Sequence, residues 1–111
     1  MKRILFNLKR EWYDKIASGE KTVEFRRICP YWESRIWRSN KPIMTFPVAM
    51  FMHNREAMPI NRDLFAVFRL GYSRKYPDIV RRIVMIDIGN CPYKGWDGEY
   101  FRIHFTKEGE D

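Results

Sequence analysis

From Arg3 to Leu8 the chain alternates, with Ile4, Phe6 and Leu8 set against Arg3, Leu5 and Asn7, the period of an opening strand. The period then lengthens. In "KREWYDKIAS", Trp12, Tyr13, Ile16 and Ala17 share one helical face, while Arg10, Asp14, Lys15 and Ser18 point away. Gly19 follows, as expected where a helix ends in a residue tolerant of positive φ. "TVEFRRI" returns to a period of two. It predicts Val23 and Phe25 facing a core, with Thr22, Glu24 and Arg26 on the opposite side. "CPYWESRIWRSNKP" reads as a loop rich in Trp, Tyr and Arg, with room for one helical turn. "IMTFPVAMFM" is predicted as a strand, at an edge or bulge because Pro47 withholds a ladder donor. His53–Arg62 reads as a polar connection.

"DLFAVFRL" suits either period, but its crowding of Phe and Val before Gly71 favours a strand. "GYSRKYP" is a basic loop, and Ile79–Ile88 a long apolar strand whose Arg81 and Arg82 face opposite ways. "NCPYKGWDGE" carries turn chemistry. "YFRIHFT" alternates again, with Phe101, Ile103 and Phe105 inward. The expectation is about six strands, one early helix and at most one more, without βαβ rhythm, internal repeat or linker. Strands at this spacing predict a mainly β fold, a compact β-barrel with one or two short helices. One domain spans residues 1–106, and 107–111 form an acidic tail expected to be disordered.

Length and composition narrow the function. The 111 residues suffice for one core, and 45% hydrophobic with 16% aromatic content argues against wholesale disorder. Net charge is +7 despite three carboxylates gathered in the last four residues, so the body of the domain is more basic still. Thirteen of the 21 cations are arginine, the side chain suited to planar, bidentate contact with phosphate. An anionic partner is expected, nucleic acid first among them, against the alternative of ordinary solubilising charge. Cys29 and Cys91 form no CxxC pair, and His53 and His104 stand alone, so no metal site and no cofactor are expected. The opening residues do not read as a secretory leader, and residues 43–52 are too short an apolar run to span a bilayer. A cytoplasmic protein without membrane contact is the expectation.

The charges of "SGEKTVEFRR" stand out within a strand-like run. Lys21 precedes the strand, and Thr22, Glu24 and Arg26 share one side of it. One possibility is a groove in which Glu24 fixes Lys21 or Arg26, the cations take phosphate and the carboxylate accepts from a base amino group. The other is an exposed, salt-bridged strand face. A phosphate-binding P-loop is excluded, because Glu20 separates Gly19 from Lys21 and a helix stands where a strand should precede.

Gly19, Lys21, Glu24 and Arg26 reproduce the G-x-K-x-x-E-x-R signature of ASCH domains, relatives of the PUA domain, and "LKREWYDKIASGEKTVEFRR" resembles that family's opening strand, helix and second strand. "FRLGYSRKYPDIV" and "VMIDIG" are similar to its later strand–loop–strand. The resemblance covers residues 3–27 and, more divergently, 68–105. It implies a PUA-like barrel with the helix beside it, a cleft floored by the signature, and binding of RNA or nucleotides. Some small ASCH proteins deacylate N4-acetylcytidine, and others have been proposed as ribonucleases. In the deacylating branch a lysine, a threonine nucleophile and a downstream glutamate line the cleft. Lys21 matches the lysine, but Glu24 occupies the threonine's position and Thr22 lies two positions early. If the domain is an enzyme, the resemblance leaves Lys21 and Glu24 as the catalytic pair.

A binding module draws on more of the sequence. Arg26 and Arg27 lead into Tyr31, Trp32 and Arg35, followed by Trp37 and Arg38, so aromatics interleave with arginines as in single-strand readers. Arg74 and Lys75, between Tyr72 and Tyr76, repeat the composition. Tyr31 and Trp32 are the stacking candidates, whereas Trp12 and Trp37 suit the core. Glu24→Ala and Arg26→Ala are each expected to weaken nucleotide binding without unfolding the domain. A protein–protein adaptor with an aromatic face for an acidic partner is the third class.

Overall fold

In a computed structural model, which describes residues 2–40, 58, 60–71 and 75–107, the chain is mainly β. Strands β1 (Lys2–Leu8), β2 (Val23–Arg27), β3 (Leu64–Leu70), β4 (Ile79–Asn90) and β5 (Glu99–Phe105) join helices α1 (Arg10–Ala17) and α2 (Pro30–Ser39). The strands form one sheet in the order β1-β3-β4-β5-β2. β1 runs parallel to β3, and the other pairs are antiparallel. The core is where alternation puts it: Ile4, Phe6 and Leu8 of β1 meet Phe68, Ile86, Phe101, Ile103 and Phe105.

β4 belongs to both halves of the sheet. Its start pairs with β3 and its remainder with β5, with an irregularity between Ile83 and Met85. Ile83 and Ile86 are both buried although three residues apart, an odd spacing that strict alternation forbids. The extra residue supplies that phase shift and bends the strand. The sheet curves until its terminal strands nearly meet, so that Arg26 Nη2 on β2 donates to the Asn7 carbonyl on β1 at 3.1 Å. No backbone ladder joins those two edges among the described residues.

Two expectations change. Cys29–Ser39 is not a loop: Pro30 opens a ten-residue helix at a position where its missing N–H costs nothing, and Ile36 is buried. Two buried asparagines secure the end of α2. Asn40 Nδ2 donates to the Ile36 carbonyl, its Oδ1 accepts from the Asn61 amide, and Asn61 Nδ2 donates to the Ser39 carbonyl. β2 faces the other way from the expectation. Glu24 pairs with Ile103 and Arg26 with Phe101, both core residues, while Val23 and Phe25 stand opposite His104 and Arg102. Paired residues share a face, so the charged side of β2 is the inner one. Five strands are described; the predicted strand at residues 43–52, with Pro47, lies outside the described residues, as do His53, Arg74 and residues 108–111.

On the outer face, Asp87 accepts from Arg102 Nε at 2.9 Å and Nη2 at 2.7 Å, and lies 3.0 Å from His104 Nε2. Gly89 makes room for this arrangement, since a Cβ there would stand 2.6 Å from Arg102 Nη1. Burial pushes the Asp87 carboxyl up, but the hydrogen bonds and charges of Arg102 and His104 outweigh it, and the net shift is downward. A carboxyl whose folded value is depressed stabilises the fold above its unfolded value and loses that contribution as pH falls through the folded one. The loss therefore begins below about pH 4. Urea midpoints of the wild type and Asp87→Asn should differ at neutral pH and converge on acidification; a constant gap would contradict the assignment.

Candidate functional site

The cavity of about 540 Å³ opens at the seam between the ends of β1 and β2. Local sequence delivers its floor. α1 ends with the Ser18 amide donating to the Asp14 carbonyl, and Gly19 takes φ +84°, which turns the chain so that the Lys21 amide reaches the Lys15 carbonyl. Lys21 thus lies between the end of α1 and the start of β2. Its Nζ sits 4.8 Å from the Trp12 ring centre and 4.9 Å from that of Tyr93, and donates to Tyr93 Oη at 2.9 Å. Trp12 and Tyr93 stack at 4.8 Å. The ammonium is enclosed by rings whose faces attract it.

Glu24 ties the floor together. Oε1 accepts from Lys21 Nζ at 3.0 Å and the Phe25 amide at 3.3 Å. Oε2 accepts from Arg26 Nη2 at 2.6 Å and Nε at 3.2 Å. Glu24 is 5% exposed and Lys21 8%, so this is a buried network and not a solvated strand face. The Arg26 guanidinium lies over Phe6 at 5.2 Å and Trp32 at 5.0 Å.

The bookkeeping of donors changes the expected chemistry. Four hydrogen bonds occupy both Glu24 oxygens, so the carboxylate has no capacity left for a base amino group. Its task is to hold two cations. Lys21 spends two of its three N–H donors within the protein, and Arg26 Nη1 has no partner among the described residues. The floor, with net charge +1, donates. Asn7 belongs to the cavity wall, and its Oδ1 is buried without a partner among the described residues.

The other sequence candidates divide. Arg27 and Trp32 line the cavity together with Lys21, Glu24 and Arg26. Thr22, Tyr31, Arg35 and Lys75 do not. Thr22 contributes its carbonyl to the Phe105 amide, and the hydroxyl weighed as a nucleophile lies outside the cavity wall. Tyr31 is 56% exposed, with Arg35 over its ring at 4.3 Å, because α2 turns Trp32 inward and its neighbour outward. Trp37 is packed against the core as expected. Trp12, assigned to the core, is also a cavity wall.

Tyr93, Trp96 and Tyr100 line the cavity and were missed. The available signal was "YKGWDGEY": Gly95 and Gly98 both take positive φ and bracket Trp96, so the turn's glycines hold an aromatic in place. Among the described residues no group of three His, Cys, Asp or Glu is arranged to hold a metal, and no helix is long and apolar enough to cross a membrane. No protein-family model, curated protein or solved structure matches the chain.

Proposed function

We propose that this is an ASCH-like, PUA-like domain whose cavity binds a base of RNA or of a nucleotide. The observation that carries the reading is the Lys21–Glu24–Arg26 network: a buried carboxylate saturated by two cations, each with a donor left over, at the floor of an aromatic-walled cavity. The curled sheet is then a barrel whose seam is bridged by the Arg26 side chain and serves as the cleft. A floor of net charge +1 whose spare groups are donors complements the acceptors of a neutral nucleobase edge better than a bare phosphate dianion. Phosphate belongs at the rim, where Lys9 and Arg27 are exposed beside the opening. A volume near 540 Å³ is within the range of small-molecule sites.

Short single-stranded RNA should bind with a log–log salt slope of about −0.7 per phosphate contacted. Lys21→Met, which keeps the stem but removes the donor and the charge, should weaken binding by about tenfold or more, the scale of a lost hydrogen bond to a charged group. Calorimetric titration at low and moderate salt measures both. No affinity for any nucleotide or short RNA at low salt would overturn the reading.

A further inference from the structure

Beyond the cavity floor, the aromatic rings form a row. Tyr93 stacks on Trp12 at 4.8 Å, Trp96 meets Tyr93 edge-on at 5.7 Å, and Tyr100 lies 5.5 Å from Trp96. The row leads from the enclosed Lys21 ammonium to the surface, where Trp96 remains 39% exposed. A lone exposed tryptophan is ordinary, but Trp96 continues a row of rings that lines the cavity. It is not a frayed tip: its amide donates to the Tyr93 carbonyl at 3.1 Å, and the flanking glycines fix the turn. A cation stands alongside. Arg27 is the register partner of Tyr100 across β2 and β5, so both project from the same face, and Arg27 has no ion pair with a described carboxylate.

We infer that Trp96 and Tyr100 form a second base-stacking site at the mouth of the cavity, with Arg27 taking the phosphate between two bases, so that the ligand is a single strand of two or more nucleotides. The inference rests on the nucleotide reading of the cavity. A base entering the cavity leaves its 3′ or 5′ neighbour over the rim, and a π-face beside a guanidinium is what an unpaired neighbour can use. Such a site tolerates any base, since stacking does not depend on the hydrogen-bonding edge.

The test is length. Mononucleotides of the four bases and homo-oligomers of two to four nucleotides are titrated at two salt concentrations against the wild type, Trp96→Ala and Trp96→Phe. The step from one nucleotide to two should raise wild-type affinity by about 5- to 100-fold, the scale of one stacked base. In Trp96→Ala that step should fall to about twofold, the residue of added charge alone, and steepen no further at low salt than one phosphate allows. Trp96→Phe, which keeps a ring, should recover most of it. Equal affinity for mononucleotide and dinucleotide in the wild type, or a full length step in Trp96→Ala, overturns the second site while leaving the cavity reading intact. Binding of no nucleotide at any length removes both.

Discussion

Glu24→Gln should destabilise the domain by about 3–5 kcal/mol, the cost of leaving buried charge without its counter-charge. The side chain is 6% exposed and holds Lys21 and Arg26 at 3.0 and 2.6 Å. Removing its charge leaves two cations facing each other on the inner side of an edge strand, and the new amide would turn a donor toward one of them. A loss of that size is a large part of a small domain's stability. The expectation that Glu24 variants bind weakly but stay folded holds only where the domain's stability exceeds this loss. Urea unfolding of the wild type, Glu24→Gln and Lys21→Met/Glu24→Gln decides the matter. The double variant retains one cation, so it should recover part of the loss, a non-additivity expected of residues in direct contact. A Glu24→Gln midpoint equal to the wild type would mean that the network is solvated and the site assignment wrong. Arg26→Ala is the better variant for testing binding, because its side chain is 21% exposed and Glu24 keeps Lys21 as partner.

Much of this architecture is legible in the chain because apolar alternation is a local signal. β1 and β5 follow it without exception, with Ile4, Phe6, Leu8, Phe101, Ile103 and Phe105 all buried. β2 defeats it for a physical reason. The rule that charge faces water holds for unpaired groups, and here Glu24 is paired with Arg26 on β2 and with Lys21 just before it, so the charged side takes the inner face. Gly19, Lys21, Glu24 and Arg26 were legible as a constellation, but the facing of Glu24 and Arg26 depends on the β2–β5 register, which no local pattern encodes. α2 was obscured by aromatic and arginine content that resembles a loop, although Trp32, Ile36 and Asn40 recur every fourth residue on the side that packs inward. Tyr93, Trp96 and Tyr100 were illegible as a wall because the first two reach the cavity only when the turn after β4 folds over toward Lys21, and the third only through the pairing of β5 with β2, contacts between segments about seventy residues apart.

Phe6→Ala should cost about 3–5 kcal/mol and should also weaken ligand binding in the fraction that remains folded. The ring is fully buried, stacking on Phe68 at 5.5 Å toward the core and on Trp32 at 5.3 Å toward the cavity, with the Arg26 guanidinium 5.2 Å away. One side chain therefore supports the core, an aromatic wall and a floor cation at once. Among the described residues β1 is paired by its backbone on one side only, to β3, and Ile4, Phe6 and Leu8 anchor it to the core. With the ring gone, Trp32 and Arg26 lose the surface they rest on, and a shift of Arg26 carries Glu24 with it. Phe68→Ala separates the two effects. That ring is equally buried and stacks on Phe6 and, at 4.7 Å, on Phe105, but it does not line the cavity. The two variants should lose similar stability in urea, while nucleotide titration below the unfolding transition should show a larger loss of affinity for Phe6→Ala. Equal affinities in the two would mean that the seam tolerates loss of its supporting ring, and that the floor is positioned by the Glu24 hydrogen bonds alone.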